Sequence, residues 1–149
     1  MATTISKYRH VTKVLVDGTV NPDSDTLMVA LVTSAYTYDP SHTSFDADAS
    51  AAEVVAGDGY TAGGEIVSGR ALTTDVSGVT TLSADNVSWS ALTKTFRGAV
   101  LYRQGTSNGI VDPLLAYILF DDTPADVQVN GITFQIEWSA SGILTVSGS

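Results

Sequence analysis

Cysteine is missing from this 149-residue chain. Its absence excludes disulfide bridges, thiolate metal sites and a cysteine nucleophile. Histidine is scarce too, with only His10 and His42, and no Gly-x-Ser-x-Gly nucleophile elbow accompanies either of them. His42 follows Pro40 closely and is expected to be an exposed loop residue. The sequence therefore predicts a protein that is not an enzyme and carries no cofactor.

Long hydrophobic runs are missing as well. The longest apolar stretch, residues 114–120, has the length of a strand, whereas a membrane span needs roughly 20 apolar residues. Residues 1–10 are polar and basic and lack the apolar segment of a secretory signal. We therefore expect a soluble protein that is made in a cytoplasm and has no membrane partner.

Charged residues are few, at 15% of the chain against about 25% in an ordinary domain. The net charge is -9, and such an acidic chain repels phosphate backbones, which argues against a nucleic-acid partner. In place of charges the sequence carries 19 Thr and 16 Ser. A surface of this kind loses its water cheaply, and Thr favours strands. The composition predicts an extended β protein that buries much of its surface against neighbouring subunits.

The basic residues of the N-terminal segment form one cluster, consisting of Lys7, Arg9 and Lys13. Apolar residues at near-helical spacing predict a helix over residues 4–16, ended by Asp17-Gly18. The cluster is either a solvated helix face or a contact arm laid on an acidic partner. In the second case the arm could be removed without loss of the β fold.

The length fits a single domain over 1–149, with residues 1–20 as an N-terminal helix or arm. The apolar run at 27–33 is expected to be a strand buried on both faces. Further strands are predicted at 53–56, 65–72, 79–83, 86–89, 96–103, 114–120, 132–138 and 143–146. Turn signals separate nearly all of them: Ser77-Gly78, Ser107-Asn108-Gly109, Asn130-Gly131 and Ser141-Gly142. Residues 139–142 are short enough for a hairpin. This pattern predicts an all-β, single-domain β-sandwich or jelly roll of about eight strands, with a barrel as the other possibility.

The acidic residues Asp39, Asp46, Asp48 and Glu53 are the best candidates for a metal site. Calcium prefers several oxygen ligands on a flexible loop, but the spacing does not match an EF-hand. We therefore expect no metal site, and a solvated loop is preferred over a calcium loop.

The segment 57–64 is rich in glycine and superficially resembles a phosphate-binding loop. It lacks the Gly-Lys-Ser/Thr end of a Walker motif and no helix pattern follows it. We predict a tight structural turn in which Gly59, Gly63 and Gly64 adopt positive φ and Tyr60 packs inward as an anchor.

Trp89 and Trp138 each stand at the end of a strand-like segment. Large aromatic residues pack in cores, anchor subunit interfaces or stack on carbohydrate. We retain both residues, together with the basic cluster, as candidate interface residues.

Two segments carry a family resemblance: Gly59-Tyr60-Thr61-Ala62-Gly63-Gly64, and the pattern from Ile136-Glu137-Trp138 to Gly142-Ile143-Leu144. With the order of the segments around them, they make nearly the whole chain resemble a family of small virion proteins of tailed bacteriophages. The resemblance implies a structural role in the particle, most simply that of a capsid decoration (cement) protein.

Such a protein would bind the major capsid protein on the outer surface of the mature phage head, as a homotrimer. The alternatives are a tail or head-fibre component and, from another class, a carbohydrate-binding module or small hydrolase. A hydrolase of sugars would need two carboxylates flanking one bond, and the sequence does not pair its acids.

Overall fold

The computed structural model describes residues 3–123 and 125–146. The strands are β1 (Thr4–Lys7), β2 (Leu27–Val32), β3 (Glu65–Ile66), β4 (Ala71–Thr74), β5 (Thr80–Ser83), β6 (Val87–Phe96), β7 (Gly98–Arg103), β8 (Thr106–Ser107), β9 (Ile110–Val111), β10 (Leu114–Leu119), β11 (Val127–Ile136) and β12 (Leu144–Val146). One α-helix, α1 (Val11–Val16), a π-helical turn (Phe45–Ala49) and a 3-10 turn (Ser50–Ala52) accompany them within the described ranges. The predicted all-β, single-domain fold is confirmed, with more strands than expected.

The strands form antiparallel sheets. The central sheet has the order β1-β10-β7-β2-β3, and the others are β12-β5-β4, the two-stranded β6–β11 pair and the small β8–β9 hairpin. Strands β2, β7 and β10 are buried almost throughout, because the central sheet is covered on both faces. This is why the sequence of residues 27–33 reads as a continuous apolar run rather than an alternating one.

Two hydrophobic clusters lie on opposite faces of the central sheet. The larger one places Val29, Leu31 and Leu101 against Trp89 and Phe96 of β6, in a sandwich-like arrangement. The smaller one consists of residues from the other face and from the segments that cover it: Tyr8, Met28, Ala30, Val32, Tyr36, Phe45, Ala49, Ala52, Val100, Tyr102, Leu114 and Tyr117.

The N-terminal segment differs from its prediction. A helix over 4–16 is wrong in its first half, because residues 4–7 form strand β1 and pair with β10. Tyr8 then turns into the core, where it is 1% exposed, and only α1 is helical. The helix ends at Val16, Asp17 caps it, and Gly18 follows with φ of 80°.

Four other predictions about strands are wrong. The predicted strand 65–72 is divided into β3 and β4, which belong to different sheets. Residues 53–56 contribute a single bridge, from Glu53 to Val32, and no strand. The predicted strand 96–103 is divided at Arg97, where the chain passes from β6 to β7. Residues 139–142 do turn, but β12 pairs with β5 and so does not form a hairpin with β11.

Asn130-Gly131 lies inside β11 rather than between strands. Gly131 has φ of 65°, and the register with β6 shifts between Val129 and Ile132. The dipeptide therefore forms a bulge in a long strand.

Candidate contact surface

The pair β6–β11 presents one broad face to solvent. Its exposed polar side chains are all uncharged and are here called the ribbon face: Ser88, Ser90, Thr93, Thr95, Gln128, Asn130, Thr133 and Gln135. The pleat places Thr95 opposite Gln128 and Ser88 opposite Gln135. The alternation of side chains shifts by one residue in each strand, at Ala91, which has φ of 50°, and at Gly131. Because of these two irregularities the polar side chains of both strands stay on the same face.

Aromatic packing holds the ribbon face in place from behind. Phe134 lies between Trp89 and Phe96, with ring centroids 6.1 and 4.9 Å away, and Phe120 approaches Phe134 to 5.3 Å. The ribbon is therefore packed directly on the aromatic part of the core.

The candidate interface residue Trp89 needs correction. It is 1% exposed and lies inside the larger cluster beside Tyr60, so it cannot touch another subunit in this fold. Its indole N–H has no hydrogen-bond partner among the described residues. Trp138, in contrast, is half-buried and donates to the carbonyl of Asp85 at 2.9 Å, and it stays a candidate interface residue.

The three residues of the basic cluster make different contacts. Lys7 donates to the carbonyl of Thr145 at 3.0 Å, and Lys13 forms an ion pair with Asp17 at 2.8 Å. Arg9 is exposed, and its backbone N–H donates to the carbonyl of Pro40. A removable arm is contradicted, because Tyr8 and Val11 are buried and β1 belongs to the central sheet. The exposed side chains of this segment stay candidates for contact.

Three of the four candidate metal residues accept local hydrogen bonds, and the fourth, Asp46, is exposed. Asp39 accepts from Ser41, and Asp48 accepts from the backbone of Thr43 and Ser44. Glu53 accepts from the hydroxyl of Tyr60 at 3.0 Å and from a backbone N–H of the glycine-rich turn. Within the described ranges, no group of three His, Cys, Asp or Glu side chains is close enough to hold a metal ion.

The glycine-rich turn docks onto two strands. Gly59, Gly63 and Gly64 have φ of about 90°, and a side chain on Gly59 would collide with the backbone of β6 at Ser90. Tyr60 is buried, and its hydroxyl accepts from the backbone N–H of Leu31 at 3.1 Å while donating to Glu53. Burial raises the pKa of Tyr60 far above its usual range, and the nearby Glu53 carboxylate adds to the shift. The turn therefore has the positive φ values and the inward-packed tyrosine that the glycine pattern predicts.

A chain of hydrogen bonds runs from the core to His42. The hydroxyls of Tyr8 and Tyr36 are 2.7 Å apart, and the Tyr36 hydroxyl is 2.9 Å from Nδ1 of His42. His42 is therefore half-buried and bonded, which corrects the expectation of an exposed loop residue. Burial raises the pKa of Tyr36 to about 12, further above neutral pH than that of an exposed tyrosine.

Sequence reasoning missed a polar turn motif that recurs in the structure. Four Asp-x-Ser/Thr turns share one geometry, in which the Asp carboxylate accepts from both the backbone N–H and the hydroxyl two residues on: Asp17 with Thr19, Asp39 with Ser41, Asp75 with Ser77, and Asp121 with Thr123. The sequence signal for this motif is an Asp followed two residues later by a Ser or Thr, repeated in several loops. Four of the chain's 16 Asp and Glu residues therefore help to close turns.

The exposed surface also contains an apolar cleft and a strand edge that has no partner among the described residues. The cleft lies between α1 and the sheet β12-β5-β4, and its lining includes Leu15, Val16, Val20, Leu72, Leu82 and Leu144. Strand β4 ends the sheet on this side, and all four of its residues are exposed.

The comparisons with known proteins leave this surface as the main guide to function. No protein-family model matches the chain, and no curated protein or solved structure is significantly similar to it. No helix in the described part of the chain is long and apolar enough to cross a membrane.

Proposed function

We propose that this protein is a non-enzymatic structural subunit of a tailed-phage virion, and that it decorates the outer surface of the head by binding the major capsid protein. The observation that carries the proposal is the uncharged ribbon face. The family resemblance of the sequence implies a structural subunit, and the ribbon face supplies a surface suited to lasting contact with another protein.

The ribbon face is inexpensive to bury. Charged groups are depleted at the centres of protein interfaces because their desolvation is costly, whereas hydroxyls and amides can exchange water for hydrogen bonds across the contact. Eight exposed Ser, Thr, Asn and Gln side chains on one ribbon meet that requirement. Elsewhere the acidic side chains keep free subunits soluble.

The function would follow from mass action. A subunit that binds the mature shell but not its dissociated or immature forms stabilises the mature state in proportion to occupancy. No chemistry, cofactor or metal is required for this action.

Copy number in purified particles tests the proposal and separates it from the tail or head-fibre alternative. Quantitative mass spectrometry of virions from the phage that encodes this chain is expected to find it in numbers comparable with the major capsid protein. Particles made without it are expected to release DNA at a lower temperature. A copy number far below that of the capsid protein, or equal release temperatures with the subunit bound, would contradict a decorating role.

Charge substitutions test the ribbon face itself. Ser88→Glu together with Thr95→Glu adds two charges at opposite ends of β6, at exposed side chains. Burying unpaired charge is expected to weaken binding to particles by roughly tenfold or more. The matched control is Thr12→Glu with Ser34→Glu, which adds the same charge at exposed positions outside the ribbon face. Equal binding by both double variants would mean that another surface contacts the shell.

A further inference from the structure

Strand β4 has an outer edge without a strand partner among the described residues. It pairs with β5 on one side and stands last in the sheet β12-β5-β4. The backbone N–H of Asp75 points to the carbonyl of Val79, across the same hairpin. Because the direction alternates along an antiparallel strand, Leu72 and Thr74 aim their backbone N–H and C=O groups away from β5.

This edge lacks the usual protection against pairing. Exposed edges are normally blunted by charges, Pro, bulges or covering segments. Strand β11 has its bulge at Gly131, and β1 carries Lys7, whose side chain crosses to Thr145. In β4 no residue is charged, none is Pro, and the register with β5 is regular.

We infer that β4 is a self-association edge, at which two copies of the chain pair their β4 strands antiparallel around a two-fold axis at Leu72. Backbone geometry allows only registers in which the outward-directed residues of β4 pair with one another, and pairing of Leu72 with its own copy is one of these. The same register places Arg70 of each copy opposite Thr74 of the other.

Side chains favour this register. Leu144, Leu82 and Leu72 stand in one row across β12, β5 and β4, on the floor of the apolar cleft. Pairing at Leu72 continues the row into the second copy and covers a leucine that is 41% exposed in the single chain. The two clefts would then meet across the axis.

Charges at the two ends of β4 favour an antiparallel partner of the same sequence. Arg70 precedes the strand and Asp75 follows it. Antiparallel self-pairing brings the basic end of one copy beside the acidic end of the other, whereas parallel pairing would set like charges together. Arg70 donates to the carbonyl of Asp25 and has no ion pair among the described residues.

A two-fold pair is the closed form of such an interface. It replaces the trimer expected from the sequence as the self-association that we propose. Stable interfaces bury about 1,200–2,000 Å² in total, and a strand of four residues supplies only part of this. The dimer is therefore expected to be weak and to depend on concentration. It does not depend on a virion role, which is tested by particle composition.

Disulfide trapping tests the register directly, because the chain has no cysteine of its own. Residues opposite each other in a hydrogen-bonded pair have Cα atoms about 5.5 Å apart, within reach of a disulfide. Leu72→Cys is expected to give a covalent dimer on mild oxidation. Thr74→Cys, equally placed on the exposed strand, is the control and is expected to give little, because its copy lies roughly 13 Å away across the axis.

Sedimentation velocity over a range of concentrations gives the second measurement. Leu72→Lys is expected to weaken dimerisation by roughly tenfold or more, since it places two like charges at the axis. Val55→Lys replaces another exposed hydrophobic residue and is expected to dimerise like the parent. Circular dichroism and thermal unfolding confirm that both variants are folded.

Several results would overturn the inference. They are a monomer at every concentration, equal cross-linking of Leu72→Cys and Thr74→Cys, or a trimer that Leu72→Lys leaves intact. A monomer whose binding to particles is lost in Leu72→Lys would also overturn it, because the edge would then accept a strand from another protein.

Discussion

At the scale of single residues, Gly64 shows how one missing side chain allows a loop to dock on a sheet. It has φ of 87°, and a Cβ there would overlap the backbone carbonyl of Val29 in β2. Gly78, in the turn between β4 and β5, has nearly the same φ, 89°, but nothing lies within 4 Å of its would-be Cβ. A comparison of the two positions therefore separates the cost of backbone strain from the cost of steric overlap.

We predict that Gly64→Ala destabilises the fold far more than Gly78→Ala. Left-handed backbone costs an alanine about 1–2 kcal/mol, and this is the whole expected loss at Gly78. At Gly64 the overlap with β2 adds to it, for a total of about 3–5 kcal/mol. Urea unfolding of the two variants measures the difference. Equal losses would mean that the turn can move away from β2 at little cost.

Residues of the core are partly legible from the sequence. The role of Tyr60 could be anticipated because a lone aromatic residue among glycines has little else to do than pack inward. Trp89 could not be assigned, since a tryptophan in a strand suits a core or an interface equally. Its burial depends on Phe134 and Tyr60 arriving from distant segments.

At the scale of elements, strands were easiest to predict where both faces are buried. Residues 27–33 and 114–120 correspond closely to β2 and β10 because continuous apolar runs of that length have few other uses. The ribbon was predicted poorly. Asn130-Gly131 has the composition of a turn, and only the partner strand β6 makes it a bulge. The ribbon face therefore could not be found from local pattern.

The Asp-x-Ser/Thr turns are a second feature of this scale, because they end or join elements. Their hydrogen bonds lower the pKa of Asp17, chiefly through Lys13, and lower the pKa of Asp39, Asp75 and Asp121, chiefly through the Ser or Thr hydroxyl. A carboxyl group whose pKa is lower in the folded state stabilises the fold above its unfolded pKa, about 3.9 for Asp. That contribution is lost as the pH falls through the folded-state pKa.

We predict that stability falls steeply below about pH 4 and that Asp75 carries part of this fall. Asp75→Asn keeps an oxygen that can accept from Ser77 and Val79 but cannot be protonated in this range, so its stability should vary less with pH. Asp75→Ala removes the acceptor and should be less stable at every pH. Urea unfolding from about pH 6 to about pH 3 measures both effects. A parental pH dependence in Asp75→Asn would show that this turn contributes nothing to acid sensitivity.

At the scale of the whole molecule, acidity and a low count of charges act at different ranges. The net charge of -9 repels other copies at long range, while the ribbon face and β4 offer uncharged surface at contact. Repulsion between exposed charges is screened over about 10 Å at 0.1 M salt. Self-association is therefore opposed by a term that salt removes and favoured by contacts that salt leaves in place.

We predict that the β4 dimer becomes tighter as NaCl rises from about 0.02 to about 0.3 M. The pairs formed by Arg70 and Asp75 at the two ends would act the other way, but exposed ion pairs contribute only about 0–1 kcal/mol each. Only two such pairs oppose a repulsion between two chains that each carry a net charge of -9, so we expect screening of the repulsion to prevail. Sedimentation equilibrium at several salt concentrations gives the dimer dissociation constant, and Leu72→Lys serves as the control without pairing. Weaker association at high salt would show that charges at the strand ends, rather than backbone pairing and leucine contact, hold the copies together.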